Sequence, residues 1–240
     1  MASSECRCNM IKVVLWDIDG TLLSFKLAER AAIGTCFQIF GLGELTDEML
    51  ADYSAINARY WKRLELGELT KPEVLRGRFE EFFTAYGLDT SCVDAFNAEY
   101  QVRLGETVVF NDNAKELVER LRGKVKQYAV TNGTLVAQRG KLKNSGLDRL
   151  LDDVFISDVV GVEKPGKAFF DAVFAAIGPC GSDEVLIVGD SLTSAIKGGN
   201  NAGILCGWYN PDGAPVPEDI RVDYDIRDLN AVKLILELEG

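Results

Sequence analysis

An apolar run at 11–15, Ile-Lys-Val-Val-Leu, reads as a buried parallel strand, and the next run of that kind starts only at residue 125. A strand–helix–strand unit needs about 30 residues, yet more than 100 separate these two strands. The excess must be an insertion that leaves the sheet at the carboxyl edge of the first strand. Its periodicity is purely helical. Helices are expected at 26–40, from 46 to about 66, from 70 onward through Phe82 and Phe83, and at 91–104, with short glycine-marked connections. That is the size of a small helix bundle. Beyond it, strands expected at 125–130, 154–160, 185–188, 204–209 and 222–226 alternate with helices at 113–122, 134–145, 166–177, 194–202 and 229–238. This alternation specifies an α/β fold, a doubly wound parallel sheet.

In such sheets ligands bind at the carboxyl ends of the strands, so the residues found there carry the functional argument. The first strand runs into Asp17-Ile-Asp19-Gly20-Thr21. Two carboxylates so close repel unless a cation lies between them, and Gly20 permits the sharp turn that brings them there. A nucleophile, a second carboxyl to move protons and a metal are what phosphoryl transfer to an aspartate requires. The simpler alternative is a strand ending in an acidic turn. After the second strand comes Val-Thr131-Asn132-Gly, whose hydroxyl and helix-start N–H groups suit a phosphate or, alternatively, only cap the helix. After the third comes Gly-Val-Glu-Lys164-Pro. A lysine opening a helix is electrostatically misplaced and wants an anion, with Glu163 or solvent as the simpler partner. After the fourth, Asp190 is placed as an oxygen ligand for Mg²⁺.

The chain contains no histidine. That removes Ser-His-Asp and Cys-His catalysis and His-ligated zinc together, and leaves acid–base work to carboxylates, Lys, Tyr or Cys. A net charge of −11 argues against nucleic-acid polymers and anionic membranes as partners. No run of 18 apolar residues marks a membrane span. Residues 1–10 lack a signal-peptide core and read as a disordered tail, so the expected location is cytoplasmic. Cys6 and Cys8 in that tail offer a soft-metal alternative. The four remaining cysteines are scattered singly and read as core residues or reduced thiols.

The four segments, in this order and each just past an expected strand, resemble motifs I to IV of the haloacid dehalogenase-like (HAD) hydrolases. The resemblance spans about residues 11–23 and 110–210. It implies a Rossmann-like HAD core of 11–23 and 106–240 with an all-helical cap of 24–105. It also implies a two-step phosphatase mechanism. Asp17 attacks phosphorus to give an aspartyl-phosphate. Asp19 protonates the leaving alcohol and then activates water. Thr131 and Lys164 hold the phosphoryl group, Asn132 contacts the substrate, and Asp17, Asp19 and Asp190 hold Mg²⁺. The presence of Asp19 points to the phosphatase and phosphomutase side, because the dehalogenases lack that second Asp. One feature departs from the pattern: a further acid is usual five residues after Asp190, where this chain has Ala195, and Gly189 precedes Asp190. Weaker Mg²⁺ binding is expected, with Asn200 or Asn201 as candidates to compensate.

The cap stretch 56–70, together with Arg78-Phe79 and 189–194, resembles a pyrimidine 5′-nucleotidase branch of this superfamily. Tyr60 or Trp61 is expected to stack a base, and Arg59, Lys62 or Arg63 to meet its polar groups. The alternative is that the aromatics simply pack the bundle. The partner implied is a small phosphorylated metabolite. Rival readings are a phosphoglycolate or sugar-phosphate phosphatase, a phosphomutase, or a phosphate-binding module with little turnover. Oligomeric state is not legible.

Overall fold

The computed structural model describes residues 10–236. Cys6, Cys8, nearly all of the expected tail and the last residues of the expected 229–238 helix lie outside them. The chain runs β1 (Val13–Trp16), α1 (Phe25–Phe40), α2 (Asp47–Glu65), α3 (Lys71–Ala85), α4 (Val93–Leu104), α5 (Ala114–Leu121), β2 (Lys126–Thr131), α6 (Leu135–Ser145), β3 (Asp153–Ile156), α7 (Ser157–Val160), α8 (Lys167–Ile177), β4 (Val185–Gly189), α9 (Lys197–Ala202), β5 (Leu205–Tyr209), β6 (Tyr224–Ile226) and α10 (Val232–Ile235). The six strands form one sheet in the order β3-β2-β1-β4-β5-β6, and every neighbouring pair is parallel. This is the doubly wound α/β architecture expected from the alternation.

Side-chain alternation along β1 explains the layering. Val14 and Trp16 face a cluster with Leu117, Leu121, Leu229 and Val232. Val13 and Leu15 face the opposite cluster with Phe169, Phe170, Val173 and Ile196. The helices between β1 and β2 bury their own aromatic core, in which Phe37, Tyr53, Phe79, Phe82, Phe83, Phe96 and Tyr100 meet with one contribution, Ala137, from α6. The Tyr53 and Phe79 rings stack at 5.0 Å and most other pairs meet edge-on, the geometry ring quadrupoles favour.

Local chemistry sets the helix ends. Thr46 accepts the Met49 N–H at 3.1 Å to open α2, and Asp47 and Glu48 complement the helix dipole there. The Glu73 carboxylate takes the Thr70 N–H at 2.7 Å to open α3. At the far end of the insertion, α4 closes on Gly105. Gly105 lies directly against Gly140 of α6: a Cβ on either would come within 2.9 Å of the other's Cα.

Three local expectations need correction. Residues 157–160 continue β3 as a helical turn, not as strand; Val159, which suggested strand, is 67% exposed. The segment after Asp190 starts as a π turn, Leu192–Ile196, before α9. Lys164 does not open a helix, since α8 begins three residues later.

Candidate active site

The strand order reverses around β1, which has β2 on one side and β4 on the other. Its carboxyl end is therefore the crevice where a doubly wound sheet binds ligands. Asp17 is the first residue past that end. Its N–H donates to the Val188 carbonyl at 2.9 Å, extending the β1–β4 pairing by one residue. Its carboxylate accepts the Ile18 N–H at 2.9 Å and the Lys164 ammonium at 2.8 Å. Lys164 is 1% exposed and also donates to the Val130 carbonyl at 2.7 Å. The anion that this lysine wants is thus Asp17, while Glu163 turns to Lys71 at 3.4 Å.

Asp190 faces this pair from β4. The Thr21 hydroxyl accepts its N–H at 2.9 Å and donates to its carboxylate at 3.0 Å, and the Trp208 indole donates to its carbonyl at 2.9 Å. Gly20, at φ +80°, passes so close that a Cβ there would lie 2.2 Å from Asp190 Oδ2. Burial, reinforced by the neighbouring Asp17 charge, pushes the Asp190 carboxyl up to about 7. Burial also raises Asp17, against the pull of Lys164. Thr131 is buried; its hydroxyl accepts the Gly133 N–H at 3.1 Å, which leaves its own hydrogen free to donate. Asn132 lines the same cavity, but its amide is engaged with protein. It accepts the Lys164 N–H at 2.8 Å and donates to the Lys164 carbonyl at 2.8 Å, so it ties the second loop to the third.

The cavity above these residues holds about 400 Å³. Its far wall comes from α1 and α2: Phe25, Lys26, Glu29, Ser54, Asn57, Trp61 and Glu65 line it. Of the aromatic and basic candidates on α2, only Trp61 is there. Tyr60, one residue and about 100° of helix away, packs on Gly77, where a Cβ would fall 2.7 Å from its ring. Arg63 lies 6.0 Å over the Tyr60 ring and pairs with Glu68 at 3.2 Å. Arg59 pairs with Glu81. Asn200 and Asn201 bond the Arg221 and Pro165 carbonyls at 2.9 and 3.0 Å, so neither compensates at Asp190. Ala195 packs in the apolar cluster under the sheet.

Four residues that the sequence reading passed over belong to this site. Glu65, at the end of α2, reaches across to Ser191 Oγ at 3.2 Å and to the Thr193 hydroxyl. It brings a carboxyl onto the loop that follows Asp190, from the opposite side of the pocket and not from position 195. Glu29 is 3% exposed and accepts from Ser54 and, at 2.8 Å, from Asn57. Asn57 in turn accepts from the buried Arg78 at 2.7 Å. Burial raises both glutamates. Finally, Lys141 and Gln138 on α6 both donate to Asp19, Gln138 at 2.7 Å. The available signal was an interruption of the helix pattern: Glu29, Gln138 and Lys141 occupy buried faces of α1 and α6.

Five carboxyl side chains line the cavity, Asp17, Asp19, Glu29, Glu65 and Asp190, against two lysines, Lys26 and Lys164. Such a pocket repels an anion unless a cation is bound with it. Among the described residues no group of three or more Asp, Glu, Cys or His side chains is arranged to hold an ion on its own. Two carboxylates with a main-chain oxygen are nonetheless a donor set for Mg²⁺, which retains several waters. No helix among the described residues is long and apolar enough to cross a membrane.

A model of the haloacid dehalogenase-like hydrolases matches residues 11–203. The chain is 36% identical over 229 residues to the HAD-hydrolase YfnB of Bacillus subtilis, covering 95% of this chain and 97% of the relative. The crystal structure of YfnB bound to magnesium superposes with a TM-score of 0.88 at 34% identity, covering 95% of this chain and all of that one. The pyrimidine 5′-nucleotidase PynA of Streptococcus pneumoniae is 35% identical, covering 83% of this chain and 84% of its own. A glyceraldehyde 3-phosphate phosphatase of Methanopyrus kandleri is 28% identical, covering 90% and 93%.

Proposed function

The chain belongs to the haloacid dehalogenase-like hydrolases, and from that premise we propose that it is a Mg²⁺-dependent phosphatase acting on nucleoside 5′-monophosphates, pyrimidine ones foremost. The observation that carries the substrate class is the cavity itself. Asp17, Phe25, Ser54 and Trp61 line it together. A base can stack on Trp61 and its polar edge can meet the half-buried Ser54 hydroxyl, and a relative named a pyrimidine 5′-nucleotidase supports the reading.

In the proposed reaction an Asp17 carboxylate oxygen attacks phosphorus in line, the bond from phosphorus to the leaving oxygen breaks, and Asp19 gives that oxygen its proton. Asp19, now a carboxylate, takes a proton from water as the water oxygen attacks phosphorus. Phosphate leaves and Asp17 is restored. Thr131 and Lys164 donate to the equatorial oxygens. Lys164 also pulls Asp17 toward the carboxylate, which the nucleophile must be, against the burial that raises it. Asp17, Asp190 and the Asp19 carbonyl would hold Mg²⁺, which when bound offsets the pocket's negative charge against that of the phosphate. The division into a sheet core (11–23 and 106–240) and a cap (24–105) belongs to this proposal: the core performs the transfer and the cap selects the leaving group.

A second reading, a sugar-phosphate phosphatase, is favoured by Glu29 and Glu65, since carboxylates on a pocket wall suit hydroxyl groups, and by the glyceraldehyde 3-phosphate relative. The deciding experiment is a substrate panel with Mg²⁺: UMP, dTMP, AMP, glyceraldehyde 3-phosphate and 2-phosphoglycolate. The proposal expects kcat/KM for the pyrimidine nucleotides to exceed that for the three-carbon and two-carbon phosphates by at least about tenfold, about 1.4 kcal/mol. The reverse order would transfer the protein to the second reading.

A further inference from the structure

Both side-chain oxygens of Asp19 are taken by donors from one helix. Lys141 donates to Oδ1 and Gln138 to Oδ2, the latter at 2.7 Å. Neither donor is a surface group that happens to lie nearby: Lys141 is 1% exposed and Gln138 is fully buried. A buried ammonium is costly unless it is paired, and the Asp19 carboxyl is the group in contact with Lys141. The Phe25 ring, 5.3 Å away, supplies a second favourable face. Gln138 makes the argument from the other side. Its Oε1 is buried without a hydrogen-bond partner, an arrangement that costs stability. It persists because the amide N–H is directed at Asp19. The neighbouring residue leaves room for it: a Cβ at Gly133 would fall 2.1 Å from Gln138 Nε2.

The helix that carries these donors is anchored independently of Asp19. The Thr134 hydroxyl caps it, accepting the Ala137 N–H at 3.4 Å and donating to Gln101 at 2.7 Å. Asp158 accepts the Leu135 N–H at 2.8 Å. Gly140 seats it against Gly105.

We propose that Lys141, assisted by Gln138, is the positioning residue for Asp19: α6 fixes the rotamer from which that carboxyl serves the leaving oxygen and the attacking water. The inference rests on the reading of Asp19 as acid and base, and not on which phosphate ester is the natural substrate. A displaced acid matters most where the leaving oxygen needs a proton most, so the loss should depend on the leaving group.

The test is single-turnover release of phenol from phenyl phosphate and of 4-nitrophenol from 4-nitrophenyl phosphate, at saturating Mg²⁺, for Lys141→Met, Lys141→Arg, Asp19→Asn and the double variant Asp19→Asn/Lys141→Met. Lys141→Met should slow phenyl phosphate by about 10- to 100-fold, the scale of a displaced catalytic group, and 4-nitrophenyl phosphate by at least about threefold less, with half-saturation changed by less than about threefold. Lys141→Arg should recover most of the phenyl phosphate rate. In the Asp19→Asn background Lys141→Met should change the rate by less than about twofold, because two residues acting as a unit are non-additive. Equal losses with both esters, or a full loss added on top of Asp19→Asn, would overturn the proposal. Should Lys141→Met fail to fold, Gln138→Met removes the other donor without altering charge, and it must show the same leaving-group dependence, weaker in size. An Asp19→Asn protein with native rates would instead overturn the acid–base reading beneath it.

Discussion

The pocket has two walls built on different principles. On the sheet side, Asp17 and Lys164 are held by the main-chain carbonyls of Val188 and Val130, and Asp190 is held through its own main-chain N–H and carbonyl, by the Thr21 hydroxyl and the Trp208 indole. On the helical side, Glu29, Ser54, Asn57 and Arg78 hold one another through side chains alone. A strand end cannot move without disturbing a sheet buried on both faces. A side-chain network can be rebuilt by substituting its members. The difference teaches where to look for each kind of property: rate on the sheet side, choice of leaving group on the helical side.

The largest effect that can break this comparison is Asp17→Asn. Turnover should fall by at least about 10³-fold, the scale for loss of a covalent nucleophile, with KM within a few-fold. Steady-state kinetics and a thermal melt check it, and near-normal turnover would sink the aspartyl-phosphate mechanism.

The sheet side should also show itself in pH. The native Asp190 carboxyl lies near 7, above its ordinary value of 3.8, so the folded protein binds this proton more tightly than the unfolded chain does. Stability from this group is therefore fully present below about 4 and is lost as pH rises through 7. Without metal, the melting temperature should fall across that window from this contribution. The same proton competes with Mg²⁺, so half-activating Mg²⁺ should rise by up to about tenfold per pH unit below 7. Melts with and without Mg²⁺ at pH 5 to 8, and Mg²⁺ titrations of activity, measure both. A half-activating concentration independent of pH would remove Asp190 from the metal's surroundings.

On the helical side Trp61→Ala should raise KM for UMP about tenfold, the lower part of the range for base–aromatic stacking, and change kcat by less than about threefold. KM for 4-nitrophenyl phosphate measures the sharpness of the division; a tenfold rise there too would make Trp61 a general wall and not a base platform. The smallest effect is Glu65→Gln. It keeps an acceptor for Ser191 and Thr193 and removes one charge from an acidic pocket, so KM for a phosphate ester should fall about twofold with kcat unchanged, a scale set by one partly screened charge. A drop in kcat would move Glu65 to the sheet side of the comparison.

The two walls also differ in how well the amino-acid sequence reveals them. Asp17, Asp19, Thr131 and Asp190 are recognisable because each stands at or just past the end of an apolar strand, and strand ends converge by topology alone. Lys164 comes eight residues after β3 ends, beyond a helical turn, and is recognisable by its Gly-Val-Glu-Lys-Pro segment. The helical wall has no such rule. Tyr60 and Trp61 are adjacent in sequence, and only the packing of α2 on its neighbours decides that Trp61 faces the cavity while Tyr60 meets Gly77. Lys141 interrupts a buried helix face, but nothing local names its partner, 122 residues earlier. Glu65 reaches a loop 126 residues later. The strand expected at 154–160 failed locally, because valines at 159 and 160 satisfy a strand pattern and a helical turn equally well.

The contact between Gly105 and Gly140 acts as a bearing. Where the helical insertion returns to the sheet, its distance from α6 is set by two residues that present only hydrogen atoms, each within 2.9 Å of a carbon the other lacks. A single methyl group there would act as a shim. Backbone faces backbone there and no flexible side chain can yield, so the two helices would have to move apart. The spacing of α4 and α6 is therefore set at a place where no side chain exists.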